Sequence, residues 1–251
     1  MVDNLNKRDA YEEKYFNEGS QNMNMLVAPQ TSWAMVLSII GFEKKWEIYP
    51  ELMGKNVTDI GWGFSTMIFE VAPSVKAYTH VDPIFAYDRK TFLKKERMRI
   101  DYRTRLIDNM RTDVSDEILK KRNENKAKQE DVLEGLKKWE SYDFSKLGNV
   151  KFNDSLAQDI HGIGDDSQDM VFLDFVLDKL EGWWSKKEEI LEALHNAYRI
   201  TKPWGKIYGV HNKESSEDDI IDALNASEYD FDGKYKEWYM YFIIDKQQSD
   251  E

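Results

Sequence analysis

Cysteine is absent from the 251 residues. That removes disulfides, thiolate metal centres, iron–sulfur clusters and cysteine nucleophiles together. It also leads us to expect a reducing, cytoplasmic setting. Histidine is nearly as scarce. The four, His80, His161, His195 and His211, show no metal-ligand spacing, so no metal centre is expected. The longest apolar run, Ala34–Phe42, is far shorter than the roughly 20 residues that cross a bilayer, so no membrane span is expected. The opening residues, MVDNLNKRDAYEEKYF, are charged throughout, unlike a secretory leader. Positive charge is in deficit, with 35 Lys and Arg against 47 Asp and Glu, a net −12. That balance disfavours non-specific attraction to nucleic acid.

What is present supports a folded α/β chain. Hydrophobic residues make up 41% and charged residues 33%, with 13 Tyr, 12 Phe and 8 Trp to fill a core. Residues 8–48 read as helical, with Pro29 and Gly41 as breaks. Asn56–Ile60 reads as a strand, Phe64–Val71 as a helix ended by Pro73, and Val75–Val81 as a second strand. From about Tyr87 to Gly148 the strand signals stop. Residues 89–111 hold nine Lys and Arg against three Asp and Glu. Residues 115–140 read as a helix with Val132, Leu136 and Trp139 as an apolar stripe. Alternation then resumes: strands at Asn149–Asn153 and Gln168–Leu173, a helix at Ser185–Ile200 with Ser185 and Glu188 at capping-box spacing, and a strand at Lys206–Val210 after the Lys202-Pro203-Trp204-Gly205 stop. A helix at about Ser216–Leu224 follows, then two strand-like pieces around Asp232-Gly233. Strands alternating with helices predict a seven-stranded, mostly parallel sheet with helices on both faces and an antiparallel last strand.

The stretch with most chemical content is NVTDIGWGFSTM, residues 56–67. In an open parallel sheet, ligands sit beyond the carboxyl ends of the strands. Gly61 and Gly63 let the main chain turn tightly there and approach a ligand with no Cβ in the way. The helix predicted to follow offers free amides. Asp82 closes the next strand, 21 residues past Gly61, and a carboxylate there matches a ribose diol. A dinucleotide site wants Gly-x-Gly-x-x-Gly, and Thr66 stands at the third glycine.

VTDIGWGFS and HVDP resemble the first two motifs of the class I S-adenosylmethionine-dependent methyltransferases. DSQDMVFLDFVLDKL (166–180) is similar to the segment around that family's fourth strand. EEILEALHNAYRITKPWGKIYGV (188–210) is similar to its next helix and fifth strand, and EYDF with WYMYFIID to its antiparallel final pair. The likeness covers about 56–84 and 149–245. The chain departs from the pattern at Ser65, where a glycine is usual, at the bulky Trp62, and in a longer gap between the second and third strands. The resemblance implies S-adenosylmethionine as cofactor, with Asp59, Gly61, Gly63, Ser65 and Asp82 around it and Asp159 or its competitor Asp154 toward the adenine. It places Asp174, at the end of the fourth strand, toward the reacting centre; His161, in the loop before that strand, is the candidate base by its own position. Phe175 is a candidate for the acceptor pocket. Tyr11, Tyr15 and Phe16 are candidates for closing over the cofactor.

The layout expected is one domain: a helical N-terminal lid (1–55), a Rossmann-like core (56–84 and 149–251) and a helical insertion (85–148). FLDF follows the fourth strand where DNA and protein amide methylation would need an aspartate-proline-proline-tyrosine-like run, so a small or medium-sized acceptor is expected. Two other readings stay open. One is a catalytically silent scaffold subunit, motivated by Trp62 and Ser65. The other is an RNA methyltransferase using the basic segment 89–111.

Overall fold

A computed structural model describes residues 45–61, 63, 65–86, 89–108, 116–174, 176–177, 187–212, 217–236 and 239–247. The expected helices before residue 45 lie outside the described residues, with Tyr11, Tyr15 and Phe16 among them. So do Trp62, Phe175 and the Ser185 cap.

The elements run α1 (Lys45–Leu52), β1 (Asn56–Ile60), α2 (Met67–Val71), β2 (Ala77–Val81), α3 (Arg89–Asp108), α4 (Asp116–Ser141), β3 (Val150–Asn153), β4 (Gln168–Asp174), α5 (Lys187–Ile200), β5 (Thr201–Asn212), α6 (Glu217–Ala226), β6 (Phe231–Lys236) and β7 (Tyr239–Asp245). The seven strands form one sheet in the order β3-β2-β1-β4-β5-β7-β6. The first five are mutually parallel, and β7 runs antiparallel to both β5 and β6. The expected seven-stranded mixed sheet is therefore what the chain forms.

The sheet's two faces carry two cores. On one face Val57, Tyr78, Phe172 and Tyr208 meet Ile48 and Leu52 of α1, Ile68 and Val71 of α2, Leu93 and Ile100 of α3, and Val132, Leu136 and Trp139 of α4. On the other, Ile60, Val171, Leu173, Ile207 and Phe242 meet Ile190, Leu194 and Ala197 of α5 and Ile220, Ala223 and Leu224 of α6. Burial on both faces explains the unbroken apolar run Met170–Leu173 in β4. The segment between β2 and β3 is thus two helices that cover the sheet.

Four boundaries differ from the sequence reading, each for a local reason. The second strand begins at Ala77, because the chain first turns through a 3-10 segment at Ala72–Ser74. α2 is shorter than expected, starting at Met67. β5 starts at Thr201, directly on the end of α5, rather than after the Lys-Pro-Trp-Gly run. That run is tied into the sheet because the Trp204 amide donates to the Lys246 carbonyl at 2.7 Å and the Lys246 amide to the Gly205 carbonyl at 3.0 Å. Trp204 adopts a φ of +66°, and the β4–β5 register shifts between Gln168 and Met170 to absorb the irregularity. Finally, Asp232-Gly233 lies inside β6, with Gly233 opposite Phe242, and is not the turn between the last two strands.

Candidate functional site

The site is built at the carboxyl end of β1. Asp59 and Ile60 pair with His80 and Val81 of β2 on one side and with Phe172 and Leu173 of β4 on the other. The chain then bends. Gly61 has a φ of +87° and Gly63 a φ of +56°, a region that costs any residue with a Cβ. At Gly61 a Cβ would also stand 2.6 Å from Val176 Cβ, in the segment just past β4. The Gly61 amide donates to the Val81 carbonyl at 2.8 Å, which ties the bend to β2. Ser65 is buried, and its Oγ accepts the Met67 amide at 3.2 Å, closing the path into α2.

Asp82 stands beside this bend. Its Oδ2 accepts the Gly63 amide at 2.9 Å and its Oδ1 the Ile84 amide at 2.9 Å. Two backbone amides therefore fix both oxygens, and each oxygen keeps a further lone pair for a ligand hydroxyl. Burial pushes the Asp82 carboxyl up to about 6, against the pull of the same two amides.

Behind Asp82 lies a polar group inside the sheet. Asp59 is 1% exposed. Its Oδ2 accepts the Tyr78 hydroxyl at 2.9 Å and lies 3.4 Å from His80 Nδ1, while its Oδ1 is buried with no hydrogen-bond partner. Burial drives its pKa up to about 7; the Tyr78 bond opposes this and the charge of Asp82 adds to it. His80 is fully buried, and neither ring nitrogen has a hydrogen-bond partner of normal geometry. Burial pulls the imidazole down to about 3, with the backbone of Gly61 and Gly63 opposing only in part. His80 is therefore neutral at ordinary pH, and the negative charge here has no counter-cation from it.

The turn after β3 flanks Asp82, whose amide donates to the Asn153 carbonyl at 3.0 Å. Asp159 lies in this turn, half-buried and bridged to Leu156. Asp154 is 3.6 Å from His161 Nε2. His161 is exposed and held back onto β3. Its Nδ1 is 2.9 Å from Ser155 Oγ, and its carbonyl accepts Asn153 Nδ2 at 2.6 Å. Asp174 ends β4, in register with Val210. β1 and β2 lie between β3 and β4, so those strand ends are about 14 Å apart.

Of the residues singled out in the sequence, the structure brings together Asp59, Gly61, Gly63, Ser65 and Asp82. It sets Asp159 and His161 one strand further out, and does not bring His161 to Asp174. Sequence reasoning missed Tyr78, His80 and Val176 as parts of the site. The alternation of AYTHVD put Tyr78, His80 and Asp82 on one face, which was the available signal. Among the described residues no group of three or more His, Asp or Glu is placed to hold a metal, and no helix is long and apolar enough to cross a membrane.

No family model matches the sequence, and no curated protein matches it. Solved structures match its fold. An O-methyltransferase family protein from Burkholderia thailandensis aligns over 99% of this chain and 62% of its own, at 12% identity and a TM-score of 0.50. Phosphoethanolamine N-methyltransferase 1 from Haemonchus contortus, solved with phosphoethanolamine and S-adenosylhomocysteine, aligns over 99% of this chain and 51% of its own, at 16% identity and a TM-score of 0.50. The chain thus spans about half to three-fifths of the length of these two structures. At these identities the likeness is one of fold: the chain has the Rossmann-like fold of the class I S-adenosylmethionine-dependent methyltransferases.

Proposed function

We propose that this chain binds S-adenosylmethionine at the β1–α2 bend and transfers its methyl group to a small or medium-sized acceptor. The observation that carries this reading is the Asp82–Gly63 contact. A buried carboxylate is aimed by two backbone amides beside a main-chain bend that tolerates no Cβ at Gly61. The residues present fit the cofactor. Asp82 has lone pairs left for a ribose diol, Gly61 and Gly63 hold the bend tight against Val81 and Asp82, and the orphaned Oδ1 of Asp59 offers an acceptor for a bridging water. Ser65 lines the path of the bend, and Asp159, in the turn after β3, would take the adenine amino group.

When bound, the cofactor would supply an activated methyl group, and its sulfur would leave as a neutral thioether. The protein's share is alignment, worth up to roughly 7–11 kcal/mol when the reacting atoms are held in line. An acceptor that must shed a proton needs a base, and we assign that role to Asp174 rather than His161. Asp174 ends the strand next to β1, while His161 is held on the β3 turn.

The RNA reading has one observation in its favour, the exposed Lys94 and Arg105 on α3, but Arg97 is paired with Glu140 of α4. The test is calorimetry with S-adenosylhomocysteine. We expect saturable binding that Asp82→Asn weakens at least tenfold, a hydrogen-bonded charge being worth about 1.5–3 kcal/mol. A folded protein that gives no heat at millimolar ligand overturns the enzyme reading and leaves the scaffold.

A further inference from the structure

We infer that Trp139, on the helical insertion, is a positioning residue for the cofactor bend, so that the α3–α4 pair and the cofactor site act as one unit. This rests on the function proposed above for that site. The argument begins with a carbonyl. Ser65 lies in irregular backbone between Gly63 and α2, and it is buried. A buried carbonyl outside regular structure needs a donor from elsewhere. Trp139 supplies it, its Nε1–H donating to the Ser65 oxygen at 3.1 Å.

The indole also meets the elements around the bend. It is fully buried, and its ring centroid lies 5.5 Å from Phe69 of α2, 6.4 Å from His80 of β2, 6.3 Å from Phe85 just past Asp82, and 6.0 Å from Phe152 of β3. Val132, Leu136 and Trp139 share one buried face of α4, so the helix cannot shift without carrying the indole along. Beyond the Gly61–Val81 tie, the bend is therefore pinned twice by side chains, at Gly63 by Asp82 and at Ser65 by Trp139. The second pin comes from the insertion. Glu140, the next residue, pairs with Arg97 of α3, so the pairing of the two helices bears on the placement of Trp139. A ligand that fixes the bend must then also steady the two helices, and anything that moves them must alter cofactor affinity, because such coupling is reciprocal.

The experiment is hydrogen exchange on the ligand-free full chain, with Trp139→Phe and, as a surface variant, Arg97→Ala. Trp139→Phe keeps a ring and removes the donor. We expect amides of 65–69 to exchange about three- to tenfold faster in Trp139→Phe and detectably faster in Arg97→Ala, with 170–173 of β4 and 207–210 of β5 unchanged. Calorimetry should show a matching three- to tenfold loss of S-adenosylhomocysteine affinity in Trp139→Phe. Unchanged exchange at 65–69 in a folded variant overturns the inference. Equal acceleration of all these segments also overturns it, because that is global destabilisation. If wild type binds no S-adenosylhomocysteine, the proposed function fails, and the ligand-free exchange still decides whether Trp139 positions the bend.

Discussion

The Tyr78 hydroxyl donates to Asp59 Oδ2 at 2.9 Å, between neighbouring strands, and no other hydrogen bond reaches that carboxylate among the described residues. One donor for a buried carboxylate is a thin supply, and three predictions follow from the surroundings of this pair.

Tyr78→Phe removes that donor and little volume. It should destabilise the fold by about 1–3 kcal/mol at pH 8, where Asp59 is ionised, and by less at pH 5, where it is protonated. Urea unfolding at the two pH values checks this. An equal loss at both would mean that the bond does not sense the charge.

Asp59→Asn tests the linkage. Burial raises Asp59 to about 7 and Asp82 to about 6 in the folded chain, from an ordinary value of 3.8. Their contribution to stability is complete below about pH 4 and is lost as pH rises toward 6 and 7, because the unfolded chain gives up these protons first. His80 has the opposite sign. Held down at about 3, its contribution is present above 6.5 and is lost as pH falls. Asn keeps an acceptor for Tyr78 and has no charge to bury. Relative to wild type, Asp59→Asn should therefore gain more stability at pH 8 than at pH 5. A pH-independent difference between the two proteins would refute the raised Asp59 pKa.

Gly61→Ala combines a φ of +87° with a Cβ 2.6 Å from Val176. We expect a loss of about 2–4 kcal/mol, from backbone strain plus overpacking. Adding Val176→Gly should restore only the overpacking share. Full recovery in the double variant would show that the backbone there is not strained.

Much of this was legible in the sequence because the signals were local. Asp59-Ile60-Gly61 and Val81-Asp82 each mark a strand end by composition, and the β–α alternation prescribes a parallel sheet. The boundary errors came from the same local rules. Lys202-Pro203-Trp204-Gly205 reads as a stop, yet Lys246, far along the chain, draws it into the sheet. Asp232-Gly233 reads as a hairpin turn, yet pairing with β7 carries it through as strand. Trp139 showed itself as part of an apolar stripe, but nothing near it in sequence says that its N–H meets Ser65, 74 residues away. The sequence set His161 only in the loop before the fourth strand; which strand ends lie beside that loop is fixed by the strand order.

β7 is translated after every other strand of the sheet, yet its place is between β5 and β6. While it is still being made, β5 has an open flank, and Gly209 waits for the Phe242 ring, which lies so close that a Cβ would come within 2.1 Å of it. The ribosome can thus release all five parallel strands, with the proposed adenosyl pocket, before the sheet is sealed.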